Sequence, residues 1–330
     1  MRIAVFGVGA VGGQWAARFL RVGIPVSLIA RGANLAAIRE RGLTLISGTD
    51  EWCSRPYCTD DPAQIGSQDV VIVAVKTPSL PSVVTQLAPL LRDDTQIIFA
   101  MNGVPWWFLD GLSCDPPEQL RSSLDPEGTL RRVIGSQRAV GCSIISGGEL
   151  VAPGVVRSDT PRHNKIVLGK PDGNTPSILS EFVGLTARAG YHVTLTSDIR
   201  GEMWPKLMTH SCRPLICGLT NMTTRQLAND PELLVIVAKI FRELIALGTR
   251  LGLSFAFDLD KVIAHKPDGE HLSSFVQDMA AGRPPELSSG ILAMRNIAHA
   301  MGVDAPILNI VSALITARVA SRRLDAIAKG

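Results

Sequence analysis

The sequence lacks cysteine pairs at metal-binding spacing, any uninterrupted run of about 18 apolar residues, and any stretch in which basic residues are massed. Each shortage excludes a class of function. The six cysteines (Cys53, Cys58, Cys114, Cys142, Cys212, Cys217) have neither CxxC spacing nor a histidine at zinc-finger distance, and read as buried thiols of a reducing compartment. The six histidines are dispersed, with no HxxxH face, so no metal is expected. Without a long apolar run the chain is not expected to span a bilayer, and Met1 leads straight into a strand pattern with no basic-then-apolar leader, so a cytoplasmic location is expected. A net charge of only +3, scattered along the chain, gives no nucleic-acid footprint, although a small anionic substrate is compatible with it. Internal repeats and low-complexity tracts are also absent.

What is present is a compact composition, 46% hydrophobic and 19% charged, which supports a sizeable core and argues against large-scale disorder. At 330 residues one core is uncomfortable, and two domains are expected. Residues 2 to 7 form a branched apolar strand, Ala10 to Val22 a helix, and Pro25 to Ala30 a second strand, completing a βαβ unit. Strands at Asp69 to Lys76 and Thr95 to Met101 follow, separated by a helical stretch that Pro78 or Pro81 starts. Alternation of this kind predicts an α/β, doubly wound parallel sheet. Residues 113 to 130 read as a surface loop or a short irregular excursion. Strand-like pieces from Val133 to Leu168, around Gly147-Gly148 and Pro153-Gly154, predict antiparallel hairpins extending that sheet, and Tyr191 to Thr196 reads as its last strand. After Ser197 the periodicity becomes helical, at Met203 to Leu219, Pro231 to Leu251, Leu259 to Ala264, Ser273 to Ala281, Leu287 to Ala300 and Ala305 to Ala320. The expected organisation is a Rossmann domain over 1–197 and an all-α domain over 198–330 that carries substrate and catalysis.

The segment Gly7-Val8-Gly9-Ala10-Val11-Gly12 follows a strand and opens a helix inside the βαβ unit, the context that makes GxGxxG specific for a dinucleotide. Gly7 allows the turn, Gly9 lets the backbone approach a pyrophosphate, Gly12 lets helix and strand pack closely, and the helix N-terminus attracts the anion. An NAD site usually ends its second strand in an acidic residue. Here Leu28-Ile29-Ala30 runs into Arg31, a cation suited to a 2′-phosphate, so NADP is the expected cofactor, with Lys76 a second cation. The alternative is that Arg31 merely opens an exposed loop. Asn102 ends a strand at the sheet edge where ligands of such folds collect, and its amide can donate to cofactor or substrate. Gly147 is counted with the cofactor-binding positions. Lys206, within Trp204-Pro205-Lys206-Leu207, is the candidate general acid, since a partly desolvated lysine near other cations can protonate a developing alkoxide.

These residues, with Ser273-Ser274-Phe-Val-Gln277-Asp278 and then Glu286, occur in the order seen in ketopantoate reductases, which the chain resembles nearly end to end. The resemblance implies a Rossmann domain followed by an all-α domain of the 6-phosphogluconate dehydrogenase C-terminal type. It also implies NADPH-dependent reduction of 2-dehydropantoate to pantoate, in pantothenate biosynthesis. It further implies that Lys206 donates the proton, that Asn102 touches both cofactor and substrate, that Ser274 binds substrate, and that Glu286, near the start of a helix, lies by the cofactor. Where the family typically has asparagines four and eight residues after the lysine, this chain has His210 and Pro214, with Arg213 adjacent; Thr224 and His271 replace two further asparagines. An imidazole at 210 can still hydrogen-bond a substrate hydroxyl or carboxylate, whereas a proline side chain offers nothing polar. Specificity for another small 2-oxo acid is therefore an alternative, as is a non-catalytic NADP-binding protein. The apolar pattern of Leu233 to Leu251 fits a homodimer face and equally the domain's own core.

Overall fold

The structure is a computed structural model, and it describes residues 1–158, 164–267, 272–283 and 285–328. It divides into two compact units: Met1–Met101 with Asp125–Glu202, and Asn102–Leu124 with Met203–Gly330.

In the first unit the order is β1 (Ile3–Phe6), α1 (Ala10–Arg21), β2 (Ser27–Ile29), α2 (Gly32–Arg41), β3 (Leu43–Ser47), β4 (Asp50–Ser54), β5 (Cys58–Thr59), β6 (Val70–Val73), α3 (Leu80–Val83) and β7 (Gln96–Phe99). After α4 (Glu118–Leu124), which belongs to the other unit, come α5 (Thr129–Val133), β8 (Ala139–Ile145), β9 (Glu149–Ala152), β10 (Val155–Ser158), β11 (Lys165–Gly169), α6 (Ser177–Arg188) and β12 (His192–Leu195). Eight strands form one sheet in the order β12-β11-β8-β7-β6-β1-β2-β5. The six from β8 to β5 are mutually parallel, and β11 runs antiparallel to β8 with β12 parallel to β11. The central strands β1, β6 and β7 are buried at every position, which is why their sequences are unbroken apolar runs rather than alternating ones. Trp15 and Phe19 of α1 meet Phe182 of α6, with ring centroids 6.2 and 5.8 Å apart, and so anchor the helix that follows the glycine turn.

A second sheet, β4-β3-β10-β9, departs from the sequence expectation. The hairpin at Pro153-Gly154 does not extend the main sheet; β10 pairs in parallel with β3, whose own hairpin partner is β4. The Leu43-Thr-Leu-Ile strand and its turn at Gly48 were not anticipated, because a five-residue strand paired to a segment more than 100 residues away leaves little local signal. Residues 113 to 130 are likewise not merely a loop, since they include α4 and the start of α5.

The second unit is helical: α7 (Ile199–Thr220, begun in the first unit), α8 (Thr224–Ala228), α9 (Pro231–Arg250), α10 (Leu259–Ala264), α11 (Ser274–Ala280), α12 (Ile291–Ala300) and α13 (Pro306–Ala328), with α4 against α12. Thr223 and Gln226 form a capping box that starts α8, a helix the periodicity did not reveal. Helix α7 contains Pro205 and Pro214, each of which withholds the N–H that the carbonyl four residues earlier would accept. Buried Trp204 holds the helix across that defect: its ring stacks on Phe108 at 5.8 Å and its indole N–H donates to the Leu244 carbonyl at 3.3 Å. Among the described residues no helix is long and apolar enough to cross a membrane, and no group of three or more His, Cys, Asp or Glu is placed to hold a metal.

Glu243 of α9 accepts from the backbone N–H groups of Ile307 and Leu308, at 2.9 and 2.8 Å, and so caps the positive end of α13 with a carboxylate. Urea unfolding of Glu243→Ala is expected to show a loss of about 1.5–3 kcal/mol, the typical worth of hydrogen bonds to a charged group, with Glu243→Gln recovering part of it.

Candidate active site

The glycine turn is built for close approach. Gly7 donates its N–H to the Ile29 carbonyl at 3.0 Å, ending β1 against β2. A Cβ on Gly12 would stand 2.1 Å from the Gly7 carbonyl oxygen, so only glycine closes the turn. A Cβ on Gly9 would meet nothing within 4 Å; the backbone there faces open space that a pyrophosphate would fill. Gly9 is also the N-cap of α1, no side chain caps that end, and no acidic residue lies in the first turn. The positive end of the helix is thereby left for an anion, and the residues present fit a dinucleotide. Val8, Ala10 and Val11 lie in the same turn and first helical residues.

Two amide side chains that sequence reasoning missed hold this turn. Asn34 donates to the Val8 carbonyl and accepts from the Gly154 N–H at 2.7 Å. Buried Gln14 donates to the Gly147 carbonyl at 3.2 Å and accepts from the Ser146 hydroxyl at 3.2 Å. Gly147 is thus tied to α1 through its backbone, beside the turn. Arg31 is the N-cap residue of α2, exposed at the end of β2, and Lys76 is exposed just beyond β6. Both cations therefore sit at the C-terminal ends of parallel strands, where ligands of such sheets bind.

In the helical unit the Lys206 ammonium donates to Asn102 Oδ1 at 3.2 Å. Asn102 is presented by a turn that requires glycine next to it. Gly103 has φ +91°, a Cβ there would lie 2.7 Å from Ser289 Oγ, and the Val104 N–H donates to the Ser289 carbonyl at 2.6 Å. With Oδ1 turned to the lysine, the Asn102 NH₂ is left as the donor end of the amide. Ser289 is thus a positioning residue that no local pattern marks.

His210 follows Lys206 by one helical turn, with Nδ1 3.2 Å from the Lys206 carbonyl oxygen and 3.4 Å from Thr209 Oγ1. Its ring reaches solvent, yet protein crowds around it; burial first, and then the Lys206 charge, push the imidazole down to about 4. It is uncharged at neutral pH. The ring lines a small, open recess with Ser211, Pro214, Leu215, Phe275, Glu286, Leu287, Gly290 and Ile291. Glu286 and His210 are therefore brought together. Glu286 is not at a helix start: α12 begins five residues later at Ile291, because residues 287–290 form a turn whose Ser289 carbonyl is taken by Val104. Ser274 is the exposed first residue of α11, behind Ser273, whose hydroxyl caps the helix by accepting from Val276 N–H at 3.4 Å. Its neighbour Phe275 lines the recess; Ser274 does not. Arg213 donates to the Val262 and His265 carbonyls and so ties down the end of α10. His271 lies outside the described residues.

The profile of the family described as ketopantoate reductase PanE/ApbA matches residues 3–173, and that of its C-terminal part matches residues 198–319. A 2-dehydropantoate 2-reductase of Mesorhizobium japonicum is 33% identical over 318 residues, covering 96% of this chain and 97% of its own. The chain belongs to the ketopantoate reductase family. Among solved structures, a protein provisionally named a ketopantoate reductase, from Ralstonia solanacearum, superposes with TM-score 0.86 at 31% identity, covering 97% of this chain and 98% of that one. A D-mandelate dehydrogenase bound to NADH and anilino(oxo)acetate shares the fold at TM-score 0.82 and 18% identity, over 98% of this chain and 99% of its own. As a member of the ketopantoate reductase family the chain is an NAD(P)-dependent oxidoreductase, with an N-terminal parallel-sheet unit and a C-terminal helical one.

The glycine geometry separates binding from folding in this reductase. Gly9→Ala is expected to keep the melting temperature of the unaltered enzyme while dinucleotide affinity, read by fluorescence titration of the reduced cofactor, falls roughly tenfold or more, since the methyl occupies phosphate space. Gly12→Ala is expected to lower the melting temperature itself.

Proposed function

We propose that the enzyme reduces 2-dehydropantoate to pantoate with NADPH, in pantothenate biosynthesis, with Lys206 as the proton donor. The observation that carries this reading is the Lys206 to Asn102 hydrogen bond at 3.2 Å, one helical turn from the His210 and Glu286 recess. The functional partition proposed is cofactor binding in 1–197 and substrate binding with catalysis in 198–330. The working location proposed is the cytoplasm, with a homodimer as the assembly.

A reduced nicotinamide, when bound, supplies the hydride that adds to C2 of the oxo acid. The residues proposed to hold the dinucleotide are Gly7, Val8, Gly9, Ala10, Val11 and Gly12 at the pyrophosphate, with Asn102, Gly147 and Glu286, and Arg31 with Lys76 at the 2′-phosphate. Preference for NADPH over NADH rests on that pair: a guanidinium binds a phosphate dianion through two parallel N–H donors, and a second cation adds to the attraction. As C2 is reduced, charge builds on the carbonyl oxygen, and Lys206 transfers a proton from Nζ to it. Asn102 restricts where Nζ points, so that the proton is delivered along one direction; its NH₂ is proposed to hold substrate or cofactor. Ser274 and His210 are assigned to the substrate.

The departures at His210 and Pro214 favour a second reading, reduction of another small 2-oxo acid, because two positions that carry asparagine in the family here offer one uncharged imidazole and one apolar ring. NADPH oxidation measured across a panel of 2-oxo acids, ketopantoate among them, decides between the two. In that assay Lys206→Ala is expected to lower kcat by about 10²- to 10⁴-fold, the range typical of losing a general acid; near-normal kcat would remove Lys206 from the chemistry. Arg31→Ala is expected to raise KM for NADPH roughly tenfold to a hundredfold, the worth of charge-assisted hydrogen bonds, and to leave KM for NADH nearly unchanged.

A further inference from the structure

The two elements assigned to phosphate in the first unit are separate in sequence: the glycine turn from Gly7 to Gly12, and Arg31, the N-cap residue of α2. Asn34 stands in the first turn of α2, three residues after Arg31, and reaches back to the glycine turn, where its Nδ2 donates to the Val8 carbonyl. Its Oδ1 accepts from the Gly154 N–H at 2.7 Å. A flipped amide would set Oδ1 against a carbonyl oxygen and its NH₂ against an N–H, so the two partners fix the carboxamide in one orientation.

Gly154 is itself held in place. It has φ +78°, its carbonyl accepts from the Thr44 N–H at 2.8 Å, and a Cβ there would lie 3.2 Å from the Gly42 carbonyl oxygen, so the β9–β10 hairpin sits against the end of α2 and the start of β3. The body of α2 is anchored independently, by buried Leu35, Ala37 and Ile38 and by Arg39, whose Nε donates to the Cys58 carbonyl at 2.9 Å. Among the described residues the bond from Asn34 is the one that joins the first turn of α2 to the glycine turn. Removing it loosens the spacing of the two elements without undoing either.

We propose that Asn34 is a positioning residue for cofactor choice: by tying α2 to the Val8 carbonyl it sets Arg31 at the distance from the glycine turn that lets one dinucleotide engage both. This rests on the proposed NADPH reading, with Arg31 at the 2′-phosphate. NADPH spans the two elements, its pyrophosphate at one and its 2′-phosphate at the other, whereas NADH carries a hydroxyl at that ribose position and forms no ion pair with Arg31. A guanidinium–phosphate pair depends on the alignment of two N–H donors, so slack between the elements weakens NADPH more than NADH.

Fluorescence titration of the full-length protein with NADPH and with NADH, beside thermal unfolding, tests this in Asn34→Ala, in Arg31→Ala and in the double variant. Asn34→Ala is expected to lower the melting temperature by no more than about 4 °C, to weaken NADPH binding roughly tenfold and to weaken NADH binding less than about threefold. In the Arg31→Ala background the same change is expected to weaken both dinucleotides alike, because the selective part is already lost. If Asn34→Ala does not fold, Asn34→Gln carries the same comparison, since it keeps both hydrogen-bonding groups and lengthens the side chain by one carbon. Equal weakening of the two dinucleotides, or a selective loss that persists at full size without Arg31, overturns the assignment. If preference for NADPH falls in Arg31→Ala but not in the Asn34 variant, the inference fails while the NADPH reading stands. If the unaltered protein has no such preference, or Arg31→Ala leaves it intact, that reading fails and the inference with it.

Discussion

On the proposed mechanism one charge-assisted hydrogen bond, from the Lys206 ammonium to the Asn102 amide oxygen, organises the helical unit's chemistry, and the local structure holds both of its ends. At the Asn102 end, Gly103 adopts a left-handed conformation against Ser289, and Val104 is bonded to the same serine's carbonyl. At the Lys206 end, Trp204 is locked into the core by Phe108 and Leu244, and Pro205 removes an intrahelical bond just before the lysine. A flexible four-carbon side chain is useful as a proton donor only when its head group is directed, and an amide acceptor at 3.2 Å supplies that direction.

The residue that follows on the same helical face inherits its properties from the lysine. His210 Nδ1 lies 3.2 Å from the Lys206 carbonyl oxygen, and the Lys206 charge, after burial, depresses the basicity of the ring. On the proposed reading a single helical turn therefore carries both the proton donor and a residue assigned to the substrate. Arg213, although adjacent in sequence, is spent on the end of α10, so the apolar Pro214 is not offset by a neighbouring cation.

The features legible in the sequence are those with strong local signatures. The buried strand leading into Gly7, Gly9 and Gly12 is readable because the close turn at Gly12 admits only glycine, and the longer helices of the second unit, though not α4 or α8, because they keep a 3.6-residue apolar period. The second sheet was not legible: β3 and β10 are short and meet only through the fold. Asn34, Gln14 and Ser289 escaped notice for the same reason, since each acts across more than 25 residues of chain and none forms a motif. Glu286 was expected at or near a helix start and lies five residues before α12, lining the same recess as His210, a juxtaposition that no spacing encodes. The family resemblance reached further than local pattern, because it drew on the order of motifs along the whole chain.

If Lys206 acts through its bond to Asn102, the two side chains are one functional element rather than two. A double-mutant cycle on kcat/KM with Lys206→Ala, Asn102→Ala and the combined variant measures this directly. The proposed pairing predicts that the combined variant is scarcely worse than Lys206→Ala alone, a coupling of about 1 kcal/mol or more. Losses that simply add would contradict it.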